Sequence, residues 1–228
     1  MQWREKTDDA DFVVPDDVVD LSFRIRCAQL PVDHAWDLYR VLGGVLGWLP
    51  EEPAAAIHSI FDAASGNGWM RPAGGGLMQL SKRTRLYLRL PKHRVTDALG
   101  LSGQTLEVGG HPLTVGHGSV KPLVAWPTVF ARSVAGEPHD DERAFSRTVT
   151  ERLAAINIRP PKLLCGLAHS ISKEGATLNA RSVMLADLKP DESIRLQQHG
   201  LGANLKIGCG IFLPHKHIAA VSGGARDA

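Results

Sequence analysis

The chain has 228 residues, room for one large domain or two small ones. With 43% hydrophobic and 22% charged residues it can bury a core without disulfide staples, and no run of about 18 apolar residues offers a membrane span. The net charge of +2 points to no partner by itself.

Residues 1–16 read as a loose acidic tail with no apolar stretch of the kind a secretory leader needs. "VVDLSFRIRC" alternates, with Val19, Leu21, Phe23 and Ile25 on one face and Asp20, Ser22, Arg24 and Arg26 on the other. That predicts a half-buried strand. In "PVDHAWDLYRVLGGVLGWL" Asp33 is the expected N-cap, and Ala35, Leu38, Leu42, Val45 and Leu49 recur at helical spacing. "PEEPAAAIHSIFDAASGNGWMRPAGGG" reads as mostly loop. "LMQLSK" and "RLYLRLP" read as strands about a tight turn, "KHRVTDALGL" as a short helix, and "QTLEVGGHPLTVG" as a strand or hairpin.

The second half repeats this order. "LVAWPTVFARSV" predicts a strand, and "HDDERAFSRTVTERLAAINI" a helix with Phe145, Val149, Leu153 and Ile156 as its apolar stripe. "KLLCGLAHSISK" and "ATLNARSVMLADL" are strands joined near Gly175. "KPDESIRLQQHG" is a helix stopped at Gly200, and "KIGCGIFLP" is the last strand. The expected fold class is α+β, with two tandem ferredoxin-like (RRM-like, βαββαβ) units. Residues 17–119 form the first, 120–217 the second, and 218–228 a loose end. The competing reading is one continuous α+β domain. Cys27, Cys165 and Cys209 form no C-x-x-C pair and read as reduced thiols of a cytoplasmic protein.

Charge is unevenly distributed. No acidic residue lies between Asp62 and Asp97, where Arg71, Lys82, Arg83, Arg85, Arg89, Lys92 and Arg94 all fall. Arg24 and Arg26 on the first strand, with Arg83, Arg85, Tyr87 and Arg89 alternating on the third, would make one basic face. Arginines interleaved with an aromatic suit a nucleic-acid chain. A solvated surface strand is the plainer alternative.

Near the end, "HGLGANLKIGCGIFLPHK" carries Gly200, Gly202, Gly208 and Gly210 around Lys206, with Lys216 after them. Backbone N–H groups around glycines can hold phosphate oxygens. The stretch lacks G-x-x-x-x-G-K-[ST] and a following helix, which argues against nucleotide binding. A glycine pattern of this form, after a short helix and closing a second ferredoxin-like unit, resembles the C-terminal loop of the RAMP superfamily. It is most similar to that of the CRISPR repeat-processing endoribonucleases. The matching elements are Gly200-Leu201-Gly202, then Gly208-Cys209-Gly210-Ile211-Phe212 and Pro214. The likeness spans about Asp20 to Lys216.

The resemblance implies a metal-independent enzyme with no cofactor that cleaves CRISPR repeat RNA. The ribose 2′-OH would attack the scissile phosphate, leaving a 2′,3′-cyclic phosphate and a 5′-OH. CRISPR repeat RNA is the expected partner, along with other subunits of an effector complex. A non-catalytic RAMP subunit that only holds guide RNA is the alternative.

This chemistry needs a base, an acid and a cation. Relatives place a histidine in or after the first helix, where His34 and His58 lie. His58 is the preferred acid or base, weighed against a structural loop histidine. Tyr39 resembles an assisting tyrosine, weighed against simple packing. The cation is sought among Lys82, Arg83, Arg85 and Lys173. His169, on a strand of the second unit, faces RNA or solvent. His215 and His217 near Cys209 have no second ligand pair at zinc-like spacing.

Overall fold

The computed structural model describes residues 12–61, 76–137, 140–159 and 162–215. The first half contains β1 (Val18–Arg26), β2 (Gln29–Pro31), α1 (Ala35–Val45), β3 (Ala56–Ile57) and β4 (Leu77–Gln79). β5 (Arg85–Pro91), α2 (Val95–Leu99), β6 (Thr105–Val108) and β7 (His111–Lys121) complete it. The second half contains β8 (Val129–Ala135), α3 (Glu142–Ala155), β9 (Lys162–Lys173), β10 (Ala176–Ala186), α4 (Pro190–His199) and β11 (Leu213–Pro214). This is a mixed α+β architecture of two antiparallel sheets. The first runs β3-β5-β1-β7-β6 and the second β11-β8-β10-β9, while β2 and β4 pair in a separate ribbon.

The inner face of β1 follows its alternation. Leu21, Phe23 and Ile25 are buried with Leu38 and Leu42 of α1 and Leu86, Leu88 and Leu90 of β5. In the second half Phe145, Val149 and Leu153 of α3 pack on Val129, Ala131, Val183 and Leu185. Asp141 caps α3 by accepting the Ala144 N–H at 2.7 Å.

Three local expectations change. β4 pairs with β2 rather than with β5, whose edge is taken by β3 inside the stretch read as loop. Two residues are too few to show an alternating pattern. Asp33 does not cap α1: His34 stands at the N-cap, and the Asp33 carboxylate accepts the Ser172 N–H of β9 at 2.8 Å. The last strand shrinks to Leu213–Pro214, preceded by a 3-10 turn at Leu205–Ile207. Positive φ at Gly208 (+80°) and Gly210 (+73°) breaks the extended run.

The two sheets are joined by a core of their own. Ala35 of α1 packs with Ile171, Ala180, Ile207 and Cys209, flanked by Trp36, Tyr39 and Leu178. A second contact joins Val14, Val18, Leu123 and Ile194, so the N-terminal segment read as loose is already packed at Val14. No helix among the described residues is long and apolar enough to cross a membrane.

Candidate active site

His58 follows β3, and its backbone N–H donates to Tyr87 of β5. The strand turns its side chain onto the outer face of the first sheet. There Nε2 stands 3.5 Å from Asp20 and the ring lies 5.7 Å from that of Tyr87. Asp20 is held by Arg89 through Nε at 2.8 Å and Nη2 at 3.0 Å. Burial pushes the His58 ring below the ordinary histidine range, outweighing Asp20, and the Arg89 and Arg132 charges push the same way. The histidine is neutral at pH 7.

The other two candidates are occupied structurally. The Nδ1 of His34 lies 2.9 Å from the Pro31 carbonyl, and its Nε2 accepts the Ile60 N–H at 3.0 Å. Its ring, in a residue only 2% exposed, braces the loop that carries His58. This corrects the expectation of a proton-transfer role, because both ring nitrogens are committed to backbone. Tyr39 packs between the first core and the inter-sheet core, 5.3 Å from the Trp36 ring.

The basic face divides in two. At its open end Arg24 and Arg26 are exposed, Arg24 lies opposite Arg85, and Lys82 and Arg83 project from the turn before β5. At its other end Arg89 is buried, contrary to the expectation that it binds RNA. Its Nη1 donates to the carbonyls of Gln197 in α4 and Phe212 just before β11, both at 2.9 Å, so its charge clamps the first sheet to the second half of the chain.

The glycines of the glycine-rich loop meet specific neighbours. A Cβ on Gly208 would lie 2.0 Å from Ser59 Oγ, and one on Gly210 2.1 Å from the Leu201 carbonyl oxygen. One on Gly200 would lie 2.4 Å from Leu205, and one on Gly202 3.2 Å from Arg152. Gly208 thus lets the loop meet the first sheet's side, while Gly200 and Gly210 close the loop on itself. Lys206 donates to the Pro50 carbonyl at 2.6 Å, and Lys173 to Asn204 Oδ1 at 3.1 Å. Lys216 lies outside the described residues.

A cleft of about 500 Å³ opens between the sheets, lined in part by Ser59, Phe61, Arg132, Ser133, His169 and Ser182. Its shape follows from the register of the second sheet. Arg181 pairs with Val134 and Val183 with Ala131, so Arg132 and Ser133 together face Ser182 alone. That is a β-bulge, which re-aims side chains. Simple alternation would turn Arg132 and Ser133 to opposite faces; here both line the cleft. β9 bulges at the same level, where Gly166 and Leu167 face Ser182. Ser133 Oγ and His169 Nε2 lie 2.8 Å apart, and the Arg132 guanidinium stands 4.2 Å from the Phe61 ring centroid. Gly210 donates its N–H to the Ser133 carbonyl, and Gly208 packs on Ser59, so the glycine-rich loop backs the cleft.

The family model described as Cas6 Crispr matches residues 19–217. The chain belongs to the Cas6 family. A curated relative from Myxococcus xanthus (strain DK1622), "CRISPR-associated endonuclease Cas6", is 29% identical over 210 residues, 92% of this chain and 87% of that one. Among solved structures, a "CRISPR associated protein Cas6" superposes with a TM-score of 0.60 at 9% identity, covering 87% of this chain and 100% of that one. "An RAMP protein binding different RNA substrates" does so with 0.60 at 12% identity and the same coverage. These two likenesses show that the Cas6 chain has the fold of such proteins.

Within this Cas6 fold, Arg132 and Ser133 carry no sequence signal. They stand 37 and 36 residues from His169, and only the bulge aims both at the cleft. Their strand reads as an ordinary apolar run.

Proposed function

We propose that this Cas6 chain is a metal-independent endoribonuclease that cuts CRISPR repeat RNA, leaving a 2′,3′-cyclic phosphate and a 5′-OH. We read its two sheets as two ferredoxin-like units, since each places its first and third main strands centrally. One observation carries the functional reading. In a chain whose curated relative is named a CRISPR-associated endonuclease, the inter-sheet cleft adjoins a neutral histidine, and that histidine shares its sheet face with the cations Arg24 and Arg85.

The path of the RNA follows from neighbours. Arg24 lies opposite Arg85, Tyr87 follows two residues along β5, and His58 contacts Tyr87. The Arg132 charge acts on His58 from the cleft side. Cations along this line would hold phosphates, and Tyr87 would offer a stacking surface. His58 would take the 2′-OH proton. With Nε2 turned to Asp20, the neutral tautomer protonated there presents Nδ1 as the basic nitrogen. DNA lacks the attacking hydroxyl, which restricts the substrate to RNA.

The test uses repeat RNA from an array adjoining the coding region. Cleavage in EDTA, with a 5′-OH product, and its loss on a single 2′-deoxy substitution before the cut are the expected results. Salt-sensitive binding without any product would favour the non-catalytic RAMP role, and a magnesium requirement would overturn the mechanism.

A further inference from the structure

We propose that His169 is the general acid of this cleft, positioned by Ser133, and that Arg132 is the cation beside the scissile phosphate. The proposal rests on the endoribonuclease reading above and completes its proton inventory. As the 2′-oxygen bonds to phosphorus, its proton passes to one group. As the P–O5′ bond breaks, O5′ must receive a proton from another. No further reactant is needed, and the two groups reset by exchange with water.

His58 suits only the first of these roles. It is neutral in its buried setting and has no proton to spare for a leaving group. His58 adjoins the cleft through Ser59, and among the described residues the histidines that line it are His34 and His169. His34 has both ring nitrogens engaged with backbone of Pro31 and Ile60. His169 is only half-buried, so a protonated ring there keeps contact with water, and its Nε2 meets Ser133 Oγ at 2.8 Å. That contact fixes the ring plane, as a partner on one nitrogen does for any catalytic imidazole.

The backbone supports the same assignment. The bulge at Arg132–Ser133 opposite Ser182 brings a guanidinium and the histidine's partner into one space. The Ser133 carbonyl is itself tied down by the Gly210 N–H. Arg132 is partly desolvated, which lowers its pKa but leaves it charged at neutral pH. A cation removed from bulk water stabilises a developing phosphorane more than an exposed one does. The open-face candidates Lys82 and Arg83 are exposed, so solvent screens them.

The experiment compares two repeat RNAs under single turnover. One is all-oxygen; in the other the leaving O5′ is replaced by sulfur, and a thiolate departs without a proton. His169→Ala and His169→Gln should each cut the all-oxygen RNA about 10²-fold or more slower than wild type, and the sulfur RNA at near wild-type rate. His169→Gln can still hydrogen-bond Ser133, which guards against a purely structural loss. His58→Ala should be slow on both RNAs. Wild-type cleavage of all-oxygen RNA by the His169 variants, or equal slowing on both RNAs, overturns the assignment. A wild-type chain inert toward both RNAs overturns the endoribonuclease reading itself, and this assignment with it.

Discussion

Gly210 donates its N–H to the Ser133 carbonyl at 2.6 Å, tying the glycine-rich loop to the bulge that carries the Ser133–His169 pair. The loop's glycines therefore serve packing behind the cleft. Gly210 has φ +73°, and a Cβ there would meet the Leu201 carbonyl oxygen. Gly175 has a similar φ, +77°, with nothing within 4 Å of its Cβ site. Gly175→Ala should cost about 1–2 kcal/mol, the left-handed backbone penalty alone. Gly210→Ala should cost clearly more. Equal shifts in thermal unfolding would contradict this account.

Arg89 is expected to be a stability residue rather than an RNA ligand. Arg89→Met leaves the largely buried Asp20 without its main counter-charge and strips the Gln197 and Phe212 carbonyls of their donor. Breaking such a buried pair costs about 3–5 kcal/mol. The exposed Arg24→Met should stay within about 0.5 kcal/mol of wild type. Urea unfolding of the two variants checks the contrast.

RNA affinity should show the opposite order. Arg24→Ala combined with Arg85→Ala should weaken repeat binding. It should also flatten the salt dependence, by about 0.7 in log–log slope for each phosphate no longer neutralised. An unchanged slope in a filter-binding salt series would remove the open strand face from the RNA path.

His58 ties folding to pH. Its ring is held below the ordinary histidine value, chiefly by burial. The unfolded ring takes up its proton near pH 6.5, the folded ring only further down. The unfolded state thus binds more protons as pH falls through that window, and stability declines. Asp20 adds a second loss at lower pH. Burial raises its carboxyl, but the Arg89 charge and the His58 contact outweigh this and hold it well below the ordinary range. Its contribution is present above about pH 4 and lost as pH falls toward the folded value. The Tm of wild type should fall from pH 6.5 downward, and His58→Gln should lose the first part of that fall. Superimposable profiles would show that the ring is not buried neutral.

The same residue is the expected base. His58→Ala should slow cleavage by about 10²–10⁴-fold while repeat binding stays near wild type. A parallel Tm measurement separates chemistry from unfolding. Full activity in a folded variant would move the base elsewhere.

Much of this was legible in the chain alone. The inner face of β1, the stripe of α3 and the stop of α4 at Gly200 are local patterns, set by periods of 2 and 3.6 and by a glycine that tolerates positive φ. The glycine pattern also marked the family. Local patterns say which residues share a face, yet not what covers that face. Arg85 and Arg89 share one side of β5, but α4 and the chain entering β11 meet Arg89 and make it a clamp. Likewise the glycines announced close approach without naming their partners, Ser59 and the loop's own backbone. Arg132, Ser133 and His169 meet only through a slip of register between β8 and β10. That slip depends on pairing between strands about fifty residues apart, so no local pattern could carry it. The sequence by itself determined the elements, the supply of cations and histidines, and the family. Tertiary packing decided which of them are buried, and which face one another across a cleft.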